Sequence, residues 1–419
     1  MKRTLTILAA LALFGAAAAQ TLTVWVWDIN KAALESTVAS FQEMHPDVEV
    51  VVEDLGNQNV YDRGLAGCAA GGLDMPDVYL VENNEAQVFW AQFPDCFADL
   101  REYGAGDLTD LFPDFKWAEL MADGAIHAIP YDAGPTAIFY RRDLYEQAGI
   151  DPSGIATWTD FMEAGQAMNE ATDGETKMGT IAKGQDDEWF RMLANQNGCF
   201  YFDNAGDQVT VNQPGCVQAM ETMKMLWDAD VLLPGDWGTQ IQNFQTGREA
   251  SAFFGSWYGG VIQAEAPDQA GQWGVYLTPA QGEGGVRASN LGGSALAVPS
   301  SSENPELAYD FIVKALADEE NQVEILFEYG LTPSLLPLQD NPALEQGVAY
   351  FDGQPVWDLI LGTLGDVPAV VGTQFFQEAR NVMISVVNDY LDGNYDSAQA
   401  ALDRAAQQIS QATGLPVAQ

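Results

Sequence analysis

An α/β fold divided into two lobes is what this sequence predicts, and three features carry that expectation. Strand-like and helix-like patterns alternate from Thr21 onward, the rhythm of βαβ units around a parallel-type sheet. The chain has 419 residues, long for a single hydrophobic core. Hydrophobic residues make up 47% and charged residues 18%, the balance of a chain that buries a core.

The elements follow in order. Thr21 to Trp27 alternates β-branched and aromatic residues and reads as a strand. Asp28 to Asn30 turn the chain. Ala33, Leu34, Val38, Phe41 and Met44 then recur at helical spacing, and Pro46 stops that helix. Val48–Val52 is a second strand, Leu65 to Ala70 a small-residue helix closed by Gly71-Gly72, and Pro76–Val81 a third strand. Ala137–Tyr140 is another strand, and Arg142 to Ala148 a short helix closed by Gly149. Thr157 or Thr159 caps the next helix, whose apolar stripe is Phe161, Ala164 and Met168. Gly198 to Val211 reads as a hairpin turning at Asp203–Gly206, followed by a helix from Cys216 to Trp227. Ala252–Phe254 is a strand running into the loop Gly255–Gly260, and Ser294–Val298 is another strand. Asn304 caps a helix from Pro305 to Ala317, with Pro305 in its first turn. Gln374 to Thr413 is nearly all helix, broken at Gly393-Asn394. No fixed-period repeat or low-complexity linker occurs, so the chain is expected to cross between its lobes several times.

The N-terminus has the three-part plan of a secretory signal peptide over residues 1–19. Lys2-Arg3 is basic, Leu5 to Phe14 mostly apolar, and Gly15 to Ala19 small, with a cut expected near Ala19-Gln20. The apolar run is short for a membrane anchor, and no cysteine near the cut signals a lipoprotein. A periplasmic or otherwise exported protein, soluble after cleavage, is therefore expected. In such a compartment Cys68, Cys96, Cys199 and Cys216 suggest disulfides. Of the three possible pairings, Cys68–Cys96 with Cys199–Cys216 keeps each bridge within one compact segment; buried free thiols are the alternative. Cysteine spacing and two histidines give zinc little to work with, so no metal or other cofactor is expected.

The net charge of −43 leaves few basic residues for a nucleic-acid face and would be repelled by an anionic membrane. It also disfavours a strongly anionic ligand; neutral or cationic solutes remain.

Several segments together resemble the extracellular solute-binding proteins of ABC importers, the large sugar-binding group that includes maltose-binding protein. Leu22–Asp28 resembles the opening strand, and Gly71–Val78 the segment before the third. Ile129-Pro130, Ala137–Leu144, Gly149-Ile150 and Thr157-Trp158 form the most specific piece. Phe244–Ala250 with Gly255-Ser-Trp257, and Gly292–Val298 with Asn304–Ala308, complete the order. The resemblance implies the two-lobed periplasmic-binding-protein fold, with a ligand cleft between lobes and multiple hinge crossings. It places the first lobe at 20–132 plus 293–333 and the second at 133–292 plus 334–419. Crossings are expected near Tyr131–Thr136, where Gly134 would supply φ freedom and Pro135 interrupt pairing, near Leu291–Ser294, and near Thr332–Pro337. The cysteines depart from maltose-binding protein, as does Tyr140-Arg141 where the group often has Tyr-Asn; both departures bear on which sugar is bound.

A sugar offers hydroxyls and apolar C–H faces, so its site needs aromatic platforms and hydrogen-bonding side chains that reject wrong stereoisomers. Ligands of open α/β sheets bind beyond the carboxyl ends of strands. Trp27 and Asp28 end the first strand, and Glu82, Asn83 and Asn84 the third. The resemblance implies ligand contacts at these ends, at Tyr131 and Asp132 in the hinge, and at Glu188 and Trp189. It also implies them at Trp257, Tyr258 and Phe376, with weaker contributions from Gly293 and Ser294. Each has a structural alternative: a solvated turn, a packed core aromatic, or an acidic helix start favoured by the macrodipole. Arg248 and Arg287 are the second-lobe arginines expected near such loops.

The function expected is capture of a neutral sugar, an oligosaccharide foremost, by a monomer that hands it to membrane permease subunits of an ABC importer without breaking a bond. Two rivals stand beside it. A secreted glycoside hydrolase would use paired carboxylates. A binder of cationic solutes such as polyamines would use aromatic cages.

Overall fold

The computed structural model describes residues 20–418. Residues 1–19, expected from sequence to be a signal peptide, lie outside the described residues. Seven strands form the main sheet: β1 (Gln20–Val26), β2 (Val48–Asp54), β3 (Val78–Glu82), β4 (Ala128–Arg141), β5 (Ser251–Gly255), β6 (Trp273–Leu277) and β7 (Asn290–Ala297). β1 pairs in parallel with β2 and β3, as the opening βαβ pattern requires. β7 runs antiparallel to β3 and to the first half of β4. The second half of β4 runs antiparallel to β5 and β6. The 14-residue β4 is thus shared by the two halves of the molecule.

Alternation along the strands sorts the core. Leu22, Val24 and Val26 of β1, with Val78 and Leu80 of β3, face one apolar cluster; Trp25, Tyr79 and Val81 face another on the opposite side. Both clusters serve the first lobe. A third, larger cluster built on β5, β6, the far end of β4 and the C-terminal helices fills the second.

The crossings differ in detail from expectation. β4 stays extended through Pro135, which pairs with Asn290. Gly134 does not adopt a positive φ. Its lack of a side chain matters for another reason: a Cβ there would fall 1.9 Å from the Leu291 carbonyl oxygen, so glycine lets β4 and β7 approach. The conformational freedom lies on β7, where Gly292 (φ 84°) and Gly293 (φ 106°) form an irregularity in the pairing. The third segment runs beside β4, with Ala133 N–H donating to the Thr332 carbonyl and Ser334 N–H to that of Tyr131.

Three other expectations shift. The hairpin at Gly198–Val211 shrinks to one antiparallel bridge, Phe202 with Val209, because a disulfide and core aromatics hold this segment instead of a ladder. The loop after β5 becomes helical at Tyr258 (helix Tyr258–Glu265). Asn304 begins its helix without a side-chain cap, its amide being engaged with Gln20 and Thr21. Thr157, by contrast, forms a full capping box with Asp160. Cysteines 68 and 96 are bonded to each other, as are 199 and 216. No helix of the described residues is long and apolar enough to cross a membrane.

Candidate functional site

A cleft between the lobes gathers side chains from both. One compartment, about 290 Å³, is lined mainly by the first lobe: Trp27 after β1, Asn57, Gln58 and Tyr61 after β2, Glu82 at the end of β3 and Glu85 beyond it. The adjoining compartment, about 330 Å³, adds Glu188, Arg191, Trp237, Trp257, Phe376 and Arg380 from the second lobe. Both share Glu82, Glu85 and Gln377. Gln377 Nε2 donates across the cleft to Glu85 Oε1 at 2.7 Å.

Trp257 is seated by backbone. Its indole Nε1 donates to the Leu291 carbonyl at 2.8 Å, so the polar edge is satisfied. A Cβ on Gly255 would lie 2.6 Å from that nitrogen, which explains the glycine two residues earlier. Trp237 stands beside it with ring centroids 6.1 Å apart and planes inclined by 33°. Trp237 is 46% exposed, an unusual position for an indole unless its face awaits a ligand.

The carboxylates divide into paired and unpaired. Asp186 and Asp187 hold Arg191 at 3.1 and 2.9 Å, and Asp186 also pairs with Arg380. These arginines were missed in the sequence, where Arg248 and Arg287 stood as the candidates; neither of those lines the cleft. The cleft's positive charge is thereby neutralised from within. Glu188 has no hydrogen-bond partner among the described residues; burial, reinforced by Asp186, pushes its carboxyl up to about 8. Glu82 is also raised, first by burial and then by Glu85, and its one side-chain partner is the Asn84 amide at 3.4 Å. Raised carboxyls from the two lobes lining one compartment can accept a hydrogen bond from a ligand's hydroxyl or, when protonated, donate one.

Of the residues singled out from sequence, Trp27, Glu82, Asn84, Glu188, Trp257 and Phe376 line the cleft. Phe376 presents little surface, being packed on Phe200 and Tyr201 with the Arg191 guanidinium over its ring. The others are placed elsewhere. Asn83 is buried, its amide donating to Glu119 and accepting from Lys116. Trp189 is buried with its Nε1 on the Thr180 carbonyl, and Tyr258 is buried against Phe254. Tyr131 is buried in the first-lobe core. Asp132 accepts from Ser294 N–H and Oγ, a hinge bond. Asp28 is exposed, outside the cleft lining, with φ of 50° and its N–H on Asp54. In each case the neighbouring residue, not the one named, faces the cleft or the side chain is taken by the scaffold.

Sequence reasoning passed over Tyr61, Trp237, Arg191 and Arg380. The strand-end rule that selected Trp27 would have reached Tyr61 if applied after β2. Trp237 follows Asp236, which caps its helix through the Thr239 N–H, and an aromatic in a helix's first turn was a visible signal. The arginines lie within helices and carry no local mark.

Two lobes around a cleft, joined by shared strands and lined with indoles and carboxyls, define a solute-binding protein. The sequence profile of the family described as bacterial extracellular solute-binding protein matches residues 27–323, and the chain belongs to that family. It is 32% identical over 372 residues to the lactose-binding protein of Rhizobium radiobacter, covering 86% of each chain. It is 26% identical to the arabinooligosaccharide-binding protein of Bacillus subtilis (strain 168), covering 93% of this chain and 92% of that one. In structure it resembles the sugar-binding protein MalE of Xanthomonas citri, with a TM-score of 0.76 at 20% identity, covering 94% and 97%.

Proposed function

We propose that this chain captures a neutral sugar, of disaccharide or oligosaccharide size, in the interlobe cleft and delivers it to the permease subunits of an ABC importer. The observation that carries this is the Trp237–Trp257 platform together with two carboxyls in the cleft that no cation among the described residues pairs, Glu82 on the first lobe and Glu188 on the second. Stacking surfaces take the C–H faces of a sugar, and Glu82 and Glu188 take its hydroxyls. Arg191 and Arg380, neutralised by Asp186 and Asp187, leave little attraction for an anion. The names of the relatives, lactose- and arabinooligosaccharide-binding, support the same class.

The lobes divide at 132/133, 292/293 and 333/334, a division supported by the separate cores and the three adjacent crossing segments. The protein works exported, as a monomer, and turns over no substrate. Calorimetry against lactose, arabino-oligosaccharides, a uronate and spermidine tests the reading. Saturable binding of a neutral sugar is expected; binding of spermidine alone, or new reducing ends on prolonged incubation, would overturn it.

A further inference from the structure

A buried ammonium joins the two strands that cross between the lobes. Lys116, on the helix Asp114–Leu120, is completely buried. Burying a charge is costly unless each donor is satisfied. Its Nζ donates to Asn83 Oδ1 at 2.7 Å, to the Asp132 carbonyl at 2.7 Å and to the Ser294 carbonyl at 3.1 Å. Asp132 lies on β4 and Ser294 on β7, while Asn83 directly follows Glu82 at the cleft rim. An ammonium has three protons, and all three are used. Gly293 leaves room for this: a Cβ there would lie 2.9 Å from both Lys116 Nζ and the Asp132 carbonyl oxygen.

We propose that Lys116 is the positioning residue of the hinge, fixing the spacing of the crossing strands on one ammonium so that the cleft walls meet in register on closure. All its acceptors are neutral. The charged groups around it are Glu119 on its own helix, which accepts from the other end of the Asn83 amide, and Asp132 on β4, whose carboxylate is held by Ser294. Glu82, the last residue of β3, acts on Glu119. Burial pushes the ammonium down to about 8, with Glu119 and Asp132 opposing the fall, and pushes Glu119 up to about 7. Deprotonation would remove a donor and loosen the joint. The consequence for affinity rests on the sugar reading above; the consequence for hinge geometry does not.

The test places spin labels on the full exported chain at Glu43→Cys and Asp268→Cys, exposed positions on the two lobes, and reads the interlobe distance distribution without ligand. Lys116→Met should broaden that distribution at neutral pH and lower affinity for lactose, the probe, by about tenfold or more. The unsubstituted protein should show the same broadening as pH rises through about 8, and Lys116→Met should be insensitive there. An unchanged distribution in Lys116→Met, or an identical pH response, would overturn the proposal. Should Lys116→Met fail to fold, Glu119→Gln decides. Loss of that acid should move the broadening midpoint to lower pH, and an unmoved midpoint refutes the pin. Absence of lactose binding by the unsubstituted protein would count against the sugar reading alone, because the distance measurement stands without ligand.

Discussion

Trp257 shows how one side chain becomes a binding surface. Gly255 and the Leu291 carbonyl hold the indole by its edge, and Trp237 extends the platform alongside. Trp257→Ala should therefore weaken binding of the sugar found in the calorimetric panel by roughly 30-fold, the ~2 kcal/mol typical of a truncated aromatic anchor, while circular dichroism and melting temperature stay close to the parent's. Undiminished affinity would remove Trp257 from the site. Glu249 poses a different residue-scale question. It is completely buried in the second lobe, its partners are the neutral Thr180 and Gln240, and burial pushes its carboxyl from 4.5 up to about 8. Between those values the folded state keeps a proton that the unfolded chain has released, so stability falls as pH rises through the interval. Glu249→Gln should flatten that decline; a slope of melting temperature against pH equal to the parent's would refute the assignment.

Legibility in the sequence was best where local physics decides the element. The strand pattern of Leu22, Val24 and Val26 survives because each of these residues meets the same apolar cluster. The capping box at Thr157 is complete because Thr157 and Asp160 satisfy each other locally. Within the site, strand ends were found but not which neighbour turns toward the cleft. Glu82 lines it while Asn83 is drawn inward by Lys116, a residue 33 positions away. That choice is made by tertiary contacts and leaves no local trace. The disulfides sit at the same scale. Cys199–Cys216 spans 17 residues and replaces the ladder that the Gly198–Val211 segment lacks. Closing a loop of that length restricts the unfolded chain by roughly 3 kcal/mol. The Cys199→Ala/Cys216→Ala variant should accordingly melt several degrees lower, with sugar affinity retained, since neither cysteine lines the cleft. An unchanged melting temperature would show that the aromatic packing around Tyr201 suffices without the bridge.

At the scale of the whole molecule, charge and hinge pull in different directions. A net charge of −43 spread over two lobes favours their separation, because carboxylates on facing walls repel. Glu85 and Asp186 bring that repulsion to the cleft, where Arg191 and Arg380 offset Asp186 and burial favours the neutral forms of Glu82 and Glu188. What spans the lobes is the shared strand β4 and the Gln377–Glu85 hydrogen bond, while the Lys116 ammonium braces the crossing strands from the first-lobe side. Salt screens exposed repulsion strongly and buried hydrogen bonds hardly at all. Raising NaCl from about 0.01 M to about 0.15 M, where the screening length shrinks from ~30 Å to ~8 Å, should therefore raise the melting temperature of the unliganded protein. It should also shift the interlobe distance distribution toward shorter values. If calorimetry instead shows the melting temperature falling with salt, then ion pairs such as Arg191 with Asp186 and Asp187 outweigh the repulsion. In that case the acidity costs the fold nothing, and the separation of the lobes is set by hinge geometry alone.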